Sequence, residues 1–273
     1  MFGNDIISEI DRTYIEGLVK QGERIDGRKV DEYRPISIKV NLYEKAEGSA
    51  EVQIGNTRVV AGVKVSVGEP FPDTPNMGVV TITAELAPIA SPSFESGPPG
   101  DDAIELARIV DRGIRESEAV DVEKLCIKEG ELVYIVFVDI YTIEYDGNLY
   151  DASSLAAIAA LMTTKLPEVV LDENGNPKLT GNEIPMPIQS VPIEVTTALI
   201  GDHIVVDPSL KEEQVMNARL TVAVDEHERL TTMQKGGVSP ISESKVYESI
   251  DLAVRKSKEI RNILLEVINS VKN

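Results

Sequence analysis

Three arginines have the type and spacing to bind an anion. Arg108, Arg112 and Arg115 stand at i, i+4 and i+7, which places them along one stripe of a helix predicted over residues 101–117. Small and apolar residues fall on the opposite side of this helix: Ala103, Leu106, Ile109, Val110 and Gly113. The chain carries a net charge of -19, so this local basic ridge is where a polyanion could contact it.

The same helix offers an ordinary explanation for its arginines. Three acidic residues lie about one turn away and could pair with them: Glu105 with Arg108, Asp111 with Arg115, and Glu116 with Arg112. Charged and solvated helix faces are common, and exposed ion pairs contribute little. The residues alone favour a solvated face, and the anion-binding interpretation stays open beside it.

Residues 133–166 form the segment around which the other elements are organised. Residues 133–145 are almost all aliphatic, aromatic or β-branched, which predicts a strand covered on both faces. Asp146-Gly147 is a tight-turn signal, and Ser153-Ser154 could cap a helix whose residues 155–162 are only Ala, Ile, Leu and Met. A helix without a polar face is buried. The polar junction before it would therefore hold carboxylates rigidly at the edge of a core.

The remaining segments alternate between strands and helices. Further helices are predicted at 6–20 and 244–271, and strands at 49–54, 57–67, 79–88, 193–200, 203–207, 220–224 and 230–234. Residues 167–192, with an exposed turn at 174–177, are predicted to be irregular. This order predicts an α+β protein of two pseudo-similar halves. The predicted division is an N-terminal helix and extension at 1–34, a first half at 35–190 and a second half with the terminal helix at 191–273.

Composition limits the sites that the chain can contain. Asp and Glu number 46 against 27 Lys and Arg, so contact with nucleic acid requires a local basic patch or a more basic partner. His203 and His227 lack metal-ligand spacing, so no zinc site is predicted. Cys126 lies in an apolar run and is predicted to be a buried, unreactive thiol. We see no secretion signal and no membrane-length apolar run, and therefore expect a cytoplasmic protein.

Four stretches together resemble the RNase PH family. They are GEPFPDTPNMG, AIELARIVDRGIRES, DGNLYDASSLAAIAALM and VVDPSLKEEQVMNARLTV. They are most similar to the non-catalytic RNase PH-like subunits of archaeal exosomes, and the likeness extends from about Arg24 to Val267. The resemblance implies two βαβα-type halves that share a core. Active members degrade the 3′ end of RNA by phosphorolysis, in which inorganic phosphate attacks the terminal phosphodiester and releases a nucleoside diphosphate.

Departures from the active members bear on the expected activity. Active archaeal relatives carry a tandem arginine where this chain has Asp101-Asp102, and carboxylates repel phosphate. Bacterial relatives show Asp-Gly-Gly-Thr-Arg at the central turn, where this chain reads DGNLY at 146–150 and so lacks that arginine. In the later acidic segment Asp207 remains, but Glu213 replaces an Asp and Ala218 removes a carboxylate. The comparison implies no phosphorolytic site, no catalytic residue, no bound metal and no cofactor in this chain.

The resemblance implies partners and RNA contacts instead. Exosome rings alternate catalytic and non-catalytic RNase PH-like subunits as three heterodimers, and RNA-binding cap subunits join the ring. Inorganic phosphate, with Mg²⁺ where a metal is used, would act at the partner's active site. Arg112 and Arg115 are the leading candidates to contact the backbone of single-stranded RNA, with Arg108 a weaker one. Guanidinium groups bind phosphate oxygens without reading bases, which suits degradation of any sequence.

Two other functions stay open. If the three arginines only form surface ion pairs, the chain would be a scaffold that completes the ring. Alternatively, the chain would itself be an enzyme, an autonomous nuclease in which four acids converge as a metal-supported cluster: Asp146, Asp151, Asp207 and Glu213. These acids could equally be turn and cap residues, which the sequence favours because isolated Asp is common in turns.

Overall fold

The structure, a computed structural model, describes residues 8–172 and 175–272. Its helices are α1 Glu9–Lys20, α2 Asp101–Glu116, α3 Leu149–Thr163, α4 Leu210–Val215 and α5 Glu243–Lys272. Its strands are β1 Ile36–Val40, β2 Gly48–Ile54, β3 Thr57–Gly68, β4 Val79–Leu86, β5 Cys126–Lys128, β6 Leu132–Glu144, β7 Lys165–Leu171, β8 Pro177–Pro185, β9 Ile193–Ile200, β10 His203–Val206, β11 Ala218–Val224 and β12 Leu230–Gly236. A 3₁₀ helix, Val122–Leu125, precedes β5. The predicted α+β class is confirmed.

The strands form two principal sheets and one hairpin. The first sheet has the order β1-β2-β3-β6-β4, with β5 also paired to β6, and β4 runs parallel to β6 while the other pairs are antiparallel. The second sheet is antiparallel with the order β10-β9-β11-β12. One hydrophobic core includes residues from both sheets and from α2, α3 and α5. The two predicted halves therefore share a core.

Helix α3 lies at the centre of that core. Its residues Leu149–Leu161 are all buried, and it contacts β2 and β3 of the first sheet, β9 of the second, and helices α2 and α5. Its alanines allow close approach: a Cβ at Gly48 of β2 would lie 2.5 Å from the carbonyl oxygen of Ala160. The predicted burial is correct. The predicted Ser153-Ser154 cap is wrong, because the helix already begins at Leu149.

Strand β6 differs from its prediction on one face. It is central in the sheet, as expected, but Phe137 and Tyr141 are 38% and 43% exposed. The helices α2 and α3 that pack on this sheet contact the opposite face, where Val136, Val138 and Ile140 are buried. The prediction of cover on both faces is therefore wrong for the isolated chain.

Several shorter segments also correct the sequence analysis. Residues 167–192 contain the antiparallel hairpin β7–β8 rather than irregular chain, and position 174 of its predicted turn lies outside the described residues. Helix α4 was not predicted. Cys126 is partly exposed at the start of β5, and burial nevertheless raises the pKa of its thiol. Residues 6 and 7 of the first predicted helix also lie outside the described part, in which α1 begins after Ser8.

Three predicted strand pairs are correct. They are β2 with β3, joined by the Gly55-Asn56 turn, β9 with β10, and β11 with β12. The division at 34/35 and 190/191 stays a prediction. No helix in the described ranges is long and apolar enough to cross a membrane.

Candidate nucleic-acid interface

The junction between β6 and α3 is a tight turn packed against the start of α4. Gly147 has φ +88, and a Cβ there would lie 2.5 Å from backbone atoms of Pro208, Ser209 and Leu210, so only glycine fits. Asn148 follows in the left-handed conformation, with φ 55, and is the N-terminal flanking residue of α3. This geometry brings the central turn onto the later acidic segment, although the two are distant in sequence.

Asn148 connects the acids that the sequence singled out. Its amide Nδ2 donates to Asp151 Oδ2 and to Asp207 Oδ1, each at 2.8 Å, and its backbone N–H donates to Glu213 Oε1 at 2.8 Å. Three of the four acids of the nuclease hypothesis therefore do come together. Asp146 lies in the turn itself, where its carboxylate accepts from Asn56 at 3.2 Å.

Two arginines from the N-terminal extension neutralise Asp207. Arg34 binds both carboxylate oxygens, with Nε–Oδ2 at 2.9 Å and Nη2–Oδ1 at 2.7 Å, and Arg28 Nη1 donates to Oδ2 at 2.9 Å. Burial acts to raise the pKa of Asp207, but the hydrogen bonds and charge of Arg34, with the charge of Arg28, outweigh it and hold the pKa below its ordinary value. Arg24 forms a matching buried ion pair with Glu212.

The other two acids are also bound by protein donors. Asp151 Oδ2 accepts from the hydroxyl of Tyr33 at 2.6 Å and from the N–H of Thr196 at 3.1 Å, and burial raises its pKa to about 6. Glu213 accepts from the hydroxyl of Tyr145, and burial raises its pKa although these hydrogen bonds oppose the shift. Among the described residues no group of three His, Cys, Asp or Glu side chains could hold a metal ion. Because Asp151, Asp207 and Glu213 are already bound by protein donors, their arrangement gives the nuclease hypothesis no support.

The N-terminus of α2 faces an acidic groove. Asp101 and Asp102 begin the helix as predicted, and a groove of about 1060 Å³ beside them is also lined by Glu85 and Glu95. None of the described residues that line it is Lys or Arg. A helix N-terminus alone favours anions, but four carboxylates around it oppose the binding of phosphate.

Arg219 contacts α2 and could in principle bind an anion there, but its guanidinium is held by other side chains inside the fold. Its guanidinium lies over the ring of Tyr150, 4.2 Å from the centroid, and its Nη2 donates to Glu105 Oε1 at 2.6 Å. Gly236 leaves room for it, because a Cβ there would lie 2.3 Å from the guanidinium. The side chain of Arg219 is 3% exposed, so it holds β11 against α2 instead of facing a ligand.

The three predicted arginines of α2 have different surroundings. Arg115 is exposed and pairs with Asp111 at 3.2 Å, as the alternative explanation predicted, and with Glu116 at 3.4 Å. The other two suggested pairs are absent from the described residues. Glu105 binds Arg219 instead of Arg108, and Arg112 donates to the side-chain oxygen of Gln234 at 3.3 Å instead of pairing with Glu116.

Arg108 and Arg112 share a groove between α2 and β12. Its volume is about 340 Å³, and its lining consists of Asp101, Ile104, Glu105, Arg108, Ile109, Arg112 and Gln234. Arg115 does not line it. Sequence reasoning missed Gln234, because a single Gln on a short strand carries no signal until β12 is placed beside α2.

Comparison with known proteins identifies the family. The model of the 3′ exoribonuclease family, domain 1, matches residues 32–167, and the model of its domain 2 matches residues 190–256. The exosome complex component Rrp42 of Thermococcus gammatolerans is 52% identical over 267 residues, covering 97% of this chain and 98% of the relative. The Rrp42 component of Pyrococcus furiosus is 46% identical and covers 100% of this chain and 99% of the relative.

A solved structure agrees with these sequence matches. A chain of the Archaeoglobus fulgidus exosome with RNA bound to the active site superposes with a TM-score of 0.87 at 48% identity, covering 94% of this chain and 99% of that one. The predicted resemblance and the RNase PH-like fold are therefore confirmed. The chain belongs to the 3′ exoribonuclease family of RNase PH proteins.

Proposed function

We propose that this chain is a non-catalytic subunit of an archaeal exosome core ring that helps to position RNA for 3′ to 5′ phosphorolytic degradation. The observation that carries the proposal is the acidic groove at the start of α2, which Asp101 and Asp102 line. By the family resemblance, active archaeal relatives have a tandem arginine at this place. The network around Asp207 supports the proposal, because Asp151, Asp207 and Glu213 each already accept hydrogen bonds from the protein.

The proposed partners follow from the relatives. The chain alternates with a catalytic RNase PH-like subunit in a ring of three heterodimers, and RNA-binding cap subunits contact this ring. Inorganic phosphate, with Mg²⁺ where a metal is used, acts at the partner's site, and the chain has no cofactor of its own. The proposed location is the cytoplasm.

The proposed RNA contacts are on α2. Arg112 and Arg115 bind the RNA backbone, and Arg108 is a further contact. The geometry supports Arg108 and Arg112 most directly, since both line the groove beside β12 and neither forms an ion pair among the described residues. Arg115 is accessible as well, but two carboxylates share its charge. Contacts of this kind give affinity without base specificity.

Phosphate-dependent release of nucleoside diphosphates from a single-stranded RNA tests the absence of catalysis. The assay compares this chain alone, the catalytic partner alone and the two reconstituted. We expect no activity from this chain alone and higher activity from the reconstituted ring than from the partner alone. Robust phosphorolysis by this chain alone would favour the autonomous nuclease instead. Its loss in Asp207→Asn counts as support only if circular dichroism shows that this variant is still folded.

The role of the arginines is tested with the double variant Arg112→Glu, Arg115→Glu in the reconstituted ring. We expect weaker RNA binding and slower degradation with the ring intact. The matched control is Arg255→Glu, Lys258→Glu, which makes the same change of charge at exposed positions on α5. Undiminished binding and degradation by the first variant would leave the chain as a scaffold.

A further inference from the structure

The groove between α2 and β12 joins the two halves of the chain. Helix α2 belongs to the first half and supplies Arg108 and Arg112, while β12 belongs to the second and supplies Gln234. Arg112 is half-buried there, and Arg108 is exposed. Any ligand in this groove therefore contacts side chains whose relative placement depends on how the two halves pack.

The charges of the groove are unevenly distributed along α2. Among the acids that line the groove, Glu105 is the closest in sequence to Arg108, but its carboxylate is bound by the buried Arg219 at 2.6 Å. Asp111, equally close in sequence, pairs with Arg115. Asp101 lies seven residues before Arg108, about 10 Å along the helix axis. The end of the groove at Arg108 and Arg112 therefore keeps its positive charge, and the end at Asp101 is acidic.

Gln234 orients Arg112 without cancelling its charge. Its side-chain oxygen accepts from Arg112 Nη1 at 3.3 Å, and its own amide group is directed to the carbonyl of Lys235 at 3.4 Å. A carboxylate in this place would hold the guanidinium more strongly, but it would also neutralise it. A neutral acceptor fixes the direction of the guanidinium and leaves its remaining N–H groups for phosphate oxygens.

We propose that Gln234 is a positioning residue that holds the Arg112 guanidinium in the groove between α2 and β12, where the RNA backbone binds. The inference rests on the proposed function of Arg112. A free arginine side chain loses rotamer freedom when it binds a phosphate, so an arginine that is already held pays less of that cost on binding. Gln234 thus raises the RNA affinity of a helix in the other half of the chain.

The test measures binding of a single-stranded RNA to the reconstituted ring at several salt concentrations. Gln234→Leu, which keeps the size but removes the acceptor, should weaken binding about 3- to 10-fold with little change in the salt dependence, because the number of phosphate contacts is unchanged. Gln234→Glu should weaken binding and also lower the slope of log affinity against log salt by about 0.7, because it neutralises one phosphate contact. Thr232→Val, two residues earlier on the same strand, is the matched control and should change neither quantity.

A double-mutant cycle separates positioning from a structural role. In an Arg112→Gln background, Gln234→Leu should have no further effect on RNA affinity. An equal loss of RNA affinity in both backgrounds would overturn the inference about Gln234. The inference would also fail if Gln234→Leu bound RNA normally while Arg112→Gln bound it more weakly, but that result would leave the proposed function standing. If RNA binding were unchanged in Arg112→Gln, in Arg115→Gln and in their double variant, both the inference about Gln234 and the proposed RNA-positioning role would be overturned.

Discussion

Arginines occur in two contrasting regions of this molecule. Arg28 and Arg34 are held against the buried carboxylate of Asp207, whereas Arg108 and Arg112 line an open groove and form no ion pair among the described residues. The side chains are chemically identical, and their surroundings assign the roles. An arginine with a buried carboxylate partner stabilises the fold, and one with a neutral or absent partner remains able to bind an anion.

The strongest test of this contrast removes the buried carboxylate. Asp207→Asn removes the buried negative charge that Arg28 and Arg34 share, and we expect the free energy of unfolding to fall by about 3–5 kcal/mol. Denaturant unfolding of the purified chain measures this, with the exposed Asp202→Asn as the control. A loss below about 1 kcal/mol would show that this network does not stabilise the fold.

An intermediate loss of unfolding free energy is expected at the ion pair between the buried Arg219 and the partly exposed Glu105. Glu105→Gln leaves the buried guanidinium with a neutral partner, and we expect a loss of about 1–3 kcal/mol. The exposed Glu44→Gln is the control for the same chemical change. If Glu105→Gln matches that control in the same unfolding experiment, Arg219 does not depend on this pair.

Glu194 extends the comparison to a buried acid that has no partner in the described part of the chain. Neither of its carboxylate oxygens accepts a hydrogen bond there, and one lies 2.2 Å from where a Cβ of Gly113 would be. Burial, with the nearby charge of Asp151, raises the pKa of Glu194 well above its ordinary 4.5. The folded state then keeps a proton that the unfolded state loses, so the stability from this group is present below pH 4.5 and declines as the pH rises toward the folded pKa.

The pH dependence of unfolding above pH 4.5 measures this effect. Between the ordinary pKa of Glu194 and its raised pKa in the folded state, we expect this group to contribute a decline of about 1.4 kcal/mol per pH unit, and Glu194→Gln to remove that part of the slope. Asp151 adds a decline of its own at the acidic end in both proteins, since its pKa is also raised, to about 6. The exposed Glu69→Gln is the control. If the plots of unfolding free energy against pH were parallel for Glu194→Gln, for this control and for the original chain, Glu194 would not take up a proton on folding.

The smallest change in unfolding free energy is expected at the exposed ion pair between Asp111 and Arg115. Asp111→Asn should change stability by only about 0.3–0.5 kcal/mol, because the pair is solvated. If Arg115 contacts RNA, loss of its carboxylate partner should raise the RNA affinity of the reconstituted ring about twofold. Asp251→Asn on α5 is the control, and equal affinity of both variants would place Arg115 outside the interface.

Local patterns predicted most of the fold. The Gly55-Asn56 turn, the apolar stripe of α2 and the apolar residues of α3 depend on neighbours within one or two turns, so the sequence displays them directly. Helix α4 has six residues, too few for a periodic pattern. The start of α3 was misplaced because Asn148 adopts its left-handed conformation where Gly147 packs on 208–210, a contact across the chain.

The candidate site was predictable only in part. The spacing of Arg108, Arg112 and Arg115 identified the ridge, and family likeness indicated RNA as its ligand. Which arginine stays unpaired depends on distant residues: Arg219, which binds Glu105, and Gln234, which contacts Arg112. No local signal predicts pairs separated by more than one hundred residues. The arginines of the N-terminal extension were missed as partners of the acids for the same reason.

The central position of α3 has a consequence for synthesis of the chain. This helix is complete at Thr163, but the sheet that covers it is completed later: β9 ends at Ile200, and β11 ends at Val224, about 60 residues after the helix. At roughly 5–20 residues per second, a ribosome needs about 3–12 s to make that stretch. During this interval the first half can cover α3 only with the first sheet and α2, and the side of the helix that packs on β9 and α5 stays exposed. Neither half buries α3 alone, so we expect the first half to complete its packing only after the second has been made.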